Sequence, residues 1–119
     1  MTTAIYYEFR FEAAHALPNV PAVHPCARLH GHSFRARITV AGRIDPVTGW
    51  IMDFATIASA VEPVRQQLDH RFLNEIPGLE NPTSELVASW IWTALKPSLP
   101  DLTSIELSET EGSGCIIHG

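Results

Sequence analysis

A thiol and two imidazoles stand close together in residues 26–32, which read Cys-Ala-Arg-Leu-His-Gly-His. In an extended backbone, residues two apart point to the same face, so His30 and His32 share one face of a strand. The same parity continues along an apolar row of Phe34, Ala36, Ile38 and Val40. An unpaired polar group at the end of a core-facing row is costly. A metal ion would satisfy both imidazoles at once.

A third histidine arrives in a matching position. Residues 4–15 alternate with the period of a half-buried strand, and His15 ends the apolar face of that strand. Three neutral imidazoles with an open fourth position are typical of a catalytic zinc site. The sequence therefore predicts a metal site of His15, His30 and His32, against the alternative that each ring meets a local hydrogen bond. His24 and His118 have no other histidine on a matching strand face, and they are expected in a loop or on the surface.

Cys26 precedes the first imidazole of the pair by four residues. One interpretation makes it a fourth zinc ligand, which gives a closed structural site of one cysteine and three histidines. The other makes it an acid or base beside the metal. The sequence leaves both interpretations open.

Asp69 and His70 follow directly on a predicted helix. A carboxylate beside an imidazole can fix the tautomer of the ring, which suits general acid–base catalysis. Neighbouring residues often point apart, so the alternative is a pair without a shared role.

Glu109 continues the inward face that Ile105 and Leu107 begin. A carboxylate in such a row is rare unless something pairs with it. An amino-heterocycle with adjacent N–H donors is a suitable partner, because two parallel hydrogen bonds to a carboxylate are strong and directional. The alternative is a glutamate at the strand end that turns to solvent.

The strands that must position these residues come in two pairs. Residues 4–15 and about 32–41 form the first pair, joined by a proline-containing loop, and about 102–110 and 115–118 form the second. A short returning strand is also expected at 50–52.

Two helices separate the strand pairs. Asp53 is the predicted N-cap of the first, and Pro63 predicts a kink or a break inside it. Asn81 is the predicted N-cap of the second, with Pro82 at its first helical position. The order ββααββ predicts an α+β domain with a four-stranded antiparallel sheet.

Composition narrows the class of protein. A chain of 119 residues fits a single domain over 1–119, and its core is small enough that oligomerisation would be a natural supplement. Eight basic against thirteen acidic residues, without a basic block, argue against nucleic-acid binding. We see neither a signal peptide nor a membrane span, so Cys26 and Cys115 are expected as thiols in a reducing cytoplasm.

Six short motifs together resemble the 6-pyruvoyl-tetrahydropterin synthase family over essentially the whole chain. They are FEAAH at 11–15, CARLHGH at 26–32, GWIMDF at 49–54, LDH at 68–70, NPTSE at 81–85 and ET at 109–110. The three residues between Cys26 and His30 resemble the bacterial 6-carboxy-5,6,7,8-tetrahydropterin synthase branch of queuosine biosynthesis. One departure is Ile117, where relatives often place a tyrosine.

The resemblance implies a tunnelling-fold unit that forms trimers, which pair into hexamers with active sites between subunits. It implies zinc on the three histidines and 7,8-dihydroneopterin triphosphate as substrate, with 6-carboxytetrahydropterin, acetaldehyde and triphosphate as products. Glu109 would hold the pterin, Cys26 would remove a proton, and His70 with Asp69 would shuttle protons. The rivals are a 6-pyruvoyltetrahydropterin synthase, a pterin epimerase or aldolase, and a non-catalytic zinc-stabilised oligomer.

Overall fold

The fold is a five-stranded sheet with two helices, and the computed structural model describes all 119 residues. The sheet has the order β3-β1-β2-β4-β5. Its strands are β1 (Thr3–His15), β2 (His30–Gly42), β3 (Arg71–Phe72), β4 (Leu102–Ser108) and β5 (Cys115–His118). The helices are α1 (Phe54–Leu68) and α2 (Ser84–Leu95), and Pro25–Ala27 and Leu73–Glu75 form single 3₁₀ turns.

The long antiparallel pair β1–β2 sets the geometry of the site. Its register runs without interruption from Thr3 opposite Gly42 to His15 opposite His30. In the middle of the pair, Phe11 stacks on Phe34 with ring centroids 4.8 Å apart. The predicted inward row of β1 is confirmed, since its exposed and buried residues alternate up to a fully buried His15. Strand β2 begins at His30, two residues earlier than predicted, because His30 already pairs with His15.

The expectation of four antiparallel strands needs one correction. A two-residue strand, β3, pairs with Ala13 and Ala14 of β1 in parallel, which makes the sheet mixed. The chain enters β3 through His70, whose φ of 58° is left-handed and whose amide donates to the Glu12 carbonyl. Two residues are too short to show a period, so β3 was not predictable from alternation.

Helix α1 begins as predicted and is not broken. The Asp53 carboxylate accepts from the amide of Ala55 at 2.9 Å, which confirms the predicted N-cap. Pro63 lies inside the helix, which nonetheless runs on to Leu68. The buried stripe on either side of the proline holds the helix against the sheet; it consists of Ile57, Val61, Val64 and Leu68.

Three boundary predictions were wrong. The N-cap of α2 is Thr83, not Asn81: the Thr83 hydroxyl accepts from the Leu86 amide at 3.2 Å. Residues 50–52 form a bend and no strand, and the Trp50 carbonyl accepts from the Asp45 amide to close the preceding turn. Strand β4 ends at Ser108, so Glu109 lies just beyond the strand.

The core is one cluster of 21 buried hydrophobic residues shared by the inner face of the sheet and the two helices. His15 is the buried residue that breaks this apolar pattern, with none of its surface exposed. Neither helix is both long and apolar enough to cross a membrane.

Candidate metal centre and substrate pocket

The β1–β2 register brings three imidazoles together at one end of the sheet. One ring nitrogen from each of His15, His30 and His32 lies within 4.8 Å of the others. The ring centroids are 4.5 to 5.2 Å apart, and the rings stand edge to face. His15 is buried, whereas His30 and His32 are partly exposed. The predicted grouping of the three histidines therefore exists in the fold.

Backbone carbonyls fix the tautomers of two of these rings. The Nδ1 atom of His15 lies 2.8 Å from the Pro82 carbonyl, and that of His30 lies 2.7 Å from the Arg28 carbonyl. A carbonyl oxygen only accepts, so each Nδ1 carries the proton and donates it. The Nε2 atom of each neutral ring then carries a free lone pair. Histidines that bind metals are commonly held in this way, with the other ring nitrogen donating to a carbonyl.

Two ring nitrogens of the group are buried and have no hydrogen-bond partner, namely Nε2 of His15 and Nε2 of His32. Leaving a buried polar atom unsatisfied costs about 1–3 kcal/mol unless something binds there. Burial, as the largest effect, lowers the pKa of His15, although the Pro82 carbonyl and Glu109 act in the opposite direction. The neutral imidazole is the form that ligates a metal, so these residues fit a metal ion.

Glu109 turns toward the histidines rather than toward solvent. Its carboxylate oxygens lie 3.3 Å from Nε2 of His32 and 3.8 Å from Nε2 of His15, and neither contact has the geometry of a hydrogen bond. The Ser84 hydroxyl donates to Oε1 at 2.9 Å and holds the carboxylate in place. Glu109 also lines a cleft of about 220 Å³ together with Ser84 and Cys115. This carboxylate is therefore open on one side to a ligand beside the three histidines.

Cys26 lies near the site in sequence but outside the histidine group. It sits in the 3₁₀ turn Pro25–Ala27 and is a free thiol of intermediate exposure. Its amide donates to Nδ1 of His24, and its carbonyl accepts from the Leu17 amide at 2.8 Å. The group of potential metal donors consists of the three histidines without the thiol. The geometry thus gives no support to a resting four-ligand site.

The side chains of Asp69 and His70 contact each other. Asp69 Oδ2 lies 2.9 Å from Nδ1 of His70, and Oδ1 accepts from the Glu12 amide at 2.9 Å. The Glu12 amide, followed by His70, holds the pKa of Asp69 below its usual value. The His70 side chain is 77% exposed, and it lines a groove of about 540 Å³ together with His32. The ring is therefore fixed in tautomer yet presented to solvent.

Two contributors to the site were not predicted from the sequence, the Pro82 carbonyl and the Ser84 hydroxyl. Both lie in the segment 81–85 that carried one of the six motifs. Their roles depend on long-range contacts to His15 and Glu109, so only the motif itself signalled them. His24 and His118 are exposed, as expected.

A family model described as 6-pyruvoyl tetrahydropterin synthase matches residues 4–119. The chain belongs to this family. A 6-carboxy-5,6,7,8-tetrahydropterin synthase of Synechocystis is 47% identical over 112 residues, which cover 89% of this chain and 85% of that protein. The resemblance seen in the sequence is confirmed, and with it the prediction of an enzyme of the tetrahydropterin synthase family.

A second relative bears a different name. A dihydroneopterin monophosphate aldolase of Pyrococcus furiosus is 38% identical over 114 residues, which cover 95% of this chain and 93% of that protein. Among solved structures, the 6-pyruvoyl tetrahydropterin synthase of Caenorhabditis elegans superposes with a TM-score of 0.92 at 23% identity. That superposition covers 100% of this chain and 96% of the other. The tunnelling-fold architecture is therefore confirmed.

Proposed function

We propose that this member of the family is a zinc-dependent 6-carboxy-5,6,7,8-tetrahydropterin synthase. It would convert 7,8-dihydroneopterin triphosphate and one water molecule to 6-carboxytetrahydropterin, acetaldehyde and triphosphate. The observation that carries the proposal is the cluster of three imidazoles beside the Glu109 carboxylate. Two of the rings, His15 and His32, have buried Nε2 atoms without hydrogen-bond partners. The name of the 47% identical relative supports the choice of branch.

Zinc is the metal that the donor set favours. Three neutral imidazoles with an open fourth position describe catalytic zinc sites. When bound, zinc would supply Lewis acidity at the hydroxyl groups of the substrate side chain. His15, His30 and His32 would hold the metal, and the carbonyls of Pro82 and Arg28 would keep two of the rings in the ligating tautomer.

Glu109 would recognise the pterin. Its carboxylate can accept two parallel hydrogen bonds from the amino-pyrimidine edge, and Ser84 restricts its rotation. Recognition at this edge would place the substrate side chain next to the histidines, because Glu109 lies within 4 Å of two of them.

Cys26 and His70 would move the protons. Cys26, as thiolate, would take the proton from the side-chain carbon next to the ring, and the ring would take up the electrons. His70 donates its Nδ1 proton to Asp69, so its Nε2 atom is the one free to exchange protons. The exchange would accompany loss of triphosphate and cleavage between side-chain carbons.

The exposed His70 suits an active site shared between subunits. A ring that is 77% exposed on one chain can reach into a pocket formed by another. We propose a homo-oligomer, a hexamer made of two trimers, in which the Asp69–His70 pair serves the metal site of a neighbour. We further place the enzyme in queuosine biosynthesis in the cytoplasm, where both cysteines would remain thiols.

An aldolase is the second candidate, because a named aldolase aligns with 95% of the chain. An aldolase would also cleave a carbon–carbon bond of the side chain but would take dihydroneopterin monophosphate. A 6-pyruvoyltetrahydropterin synthase would keep the side-chain carbons, and a non-catalytic zinc-held oligomer would turn over none of these compounds.

Metal dependence tests the proposal. The protein is stripped with a chelator, reloaded with one zinc per chain, and given the triphosphate and monophosphate substrates separately. We expect turnover of the triphosphate only after reloading. His15→Ala should lose both zinc and turnover, whereas His118→Ala, an exposed histidine outside the site, should keep both. Faster turnover of the monophosphate would favour the aldolase, and full activity without metal would contradict the proposal.

A further inference from the structure

A second polar cleft lies on the outer face of the sheet, the face opposite the helices. Its volume is about 500 Å³, and none of its nine lining residues is hydrophobic. Arg10 of β1 and Arg35 of β2 form one wall, and the hydroxyl-bearing residues Ser108, Thr110 and Ser113 form another. Neither arginine has a role in the proposed reaction.

The two arginines stand directly opposite each other in the β1–β2 register. Like charges in this position destabilise a sheet. The neighbouring Arg37 is neutralised by Glu8, with Nη2 and Oε1 2.7 Å apart. No carboxylate lies within 4 Å of Arg10 or Arg35, so neither arginine is neutralised by an ion pair of this kind.

Arg35 also carries a buried donor without a partner, since its Nε atom is shielded from solvent and donates to no acceptor within the chain. An unsatisfied buried donor on a charged group is costly. A ligand oxygen in the cleft would satisfy it and would offset the repulsion between the two guanidinium groups at the same time.

The nearby carboxylates neither accept from Arg35 Nε nor pair with the two guanidinium groups. Glu109 lines the cleft but directs its carboxylate to Ser84 and the histidines. Glu12 accepts from the Ser33 hydroxyl at 2.7 Å, and Glu111 is exposed to water at the rim. The hydrogen bond from Arg37, with the charges of Arg35 and Arg10, lowers the pKa of Glu8, but Glu8 accepts from Arg37 and not from these two arginines. Arg10 and Arg35 therefore have no directly paired carboxylate.

We propose that Arg10 and Arg35 form a binding site for a phosphate group. Each guanidinium presents planar forked N–H donors that match phosphate oxygens, and the hydroxyls opposite can complete the shell. The group can belong to inorganic phosphate or to a polyphosphate such as the triphosphate that the proposed reaction releases. The two arginines lie on the other face of the sheet from the histidines, and the site does not depend on the proposed function.

Calorimetric titration of the zinc-loaded protein with inorganic phosphate tests the site, with pyrophosphate as the polyphosphate probe and sulfate as a tetrahedral anion that does not strip zinc. Ionic strength is held constant with chloride, and zinc content is measured after each titration. Arg35→Met keeps the apolar stem of the side chain and removes the donors, and Arg10→Gln removes the opposite charge. Arg43→Gln, an exposed arginine outside the cleft, is the matched control.

Each cleft variant should weaken phosphate binding by about tenfold or more, as expected for the loss of charge-assisted hydrogen bonds. Arg43→Gln should bind like the wild type. Phosphate should also raise the melting temperature of the wild type but not of Arg35→Met. Tighter binding of pyrophosphate would identify a polyphosphate as the ligand, and equal binding would identify a single phosphate. Unchanged affinity in both cleft variants, or no binding by the wild type, would overturn the proposal.

Discussion

At the scale of single residues, the site depends on atoms that lack a partner until something binds. The Nε2 atoms of His15 and His32 are buried and unsatisfied, and Glu109 is held by Ser84 with one side open. The polar groups at this end of the sheet could therefore hold a metal ion, which is the basis of the proposed zinc site.

Cys26→Ala should abolish turnover and largely spare zinc content, because the thiol lies outside the group of metal donors. Metal analysis of the purified variant beside a turnover assay checks this, with Cys26→Ser as the conservative variant. A large loss of zinc in both variants would instead make the thiol a ligand.

Glu109→Gln should raise KM for the pterin about tenfold or more, since it replaces charge-assisted hydrogen bonds with weaker ones. The substitution keeps the size of the side chain. Steady-state kinetics on the zinc-loaded enzyme measures the effect, and the exposed Glu75→Gln serves as the control. A KM equal to that of the wild type would remove Glu109 from substrate recognition.

At the scale of elements, the strands were easier to predict than the helix ends. Alternation over β1 and β2 predicted which faces are buried, and that parity alone placed His15, His30 and His32 together. The start of α2 was not predictable, because Asn81-Pro82 and Thr83 both have suitable capping chemistry. Which residue caps the helix depends on a distant contact: the His15 ring donates to the Pro82 carbonyl, just before the helix begins.

Thr83→Ala should lower the free energy of unfolding by about 1 kcal/mol, since it removes the N-cap of α2. Chemical denaturation of the zinc-loaded protein measures the change. Asn81→Ala is the matched control and should be close to neutral. A larger loss of stability in Asn81→Ala than in Thr83→Ala would instead identify Asn81 as the cap.

The turn into β3 was also beyond prediction. His70 adopts a left-handed conformation, and the two residues after it pair in parallel with β1. Its position depends on two hydrogen bonds with Glu12, whose carbonyl accepts from the His70 amide and whose amide donates to Asp69. These bonds join residues 57 or more apart in sequence. Local patterns carry no signal for such contacts.

At the scale of the whole molecule, the groups proposed for catalysis do not all face one another within a single chain. The three histidines and Glu109 cluster at the inner face, whereas the His70 ring is exposed. With the roles proposed for these residues, a lone subunit would present part of an active site to its surroundings, which agrees with the proposed pocket between copies of the chain.

Mixing two inactive variants tests this arrangement. Cys26→Ala and His70→Ala should each be inactive alone, and subunits exchanged between them should regain part of the wild-type activity. Some mixed pockets would then combine an intact thiol with an intact imidazole. Sedimentation of the mixture confirms that exchange has occurred. Exchange without recovered activity would place both residues in the pocket of one chain.

The identity of the products tests the central claim most directly. Zinc-loaded protein is incubated with 7,8-dihydroneopterin triphosphate, and all products are identified by mass spectrometry. We expect 6-carboxytetrahydropterin together with acetaldehyde and triphosphate. A 6-pyruvoyl product without acetaldehyde, or an unchanged substrate, would contradict it.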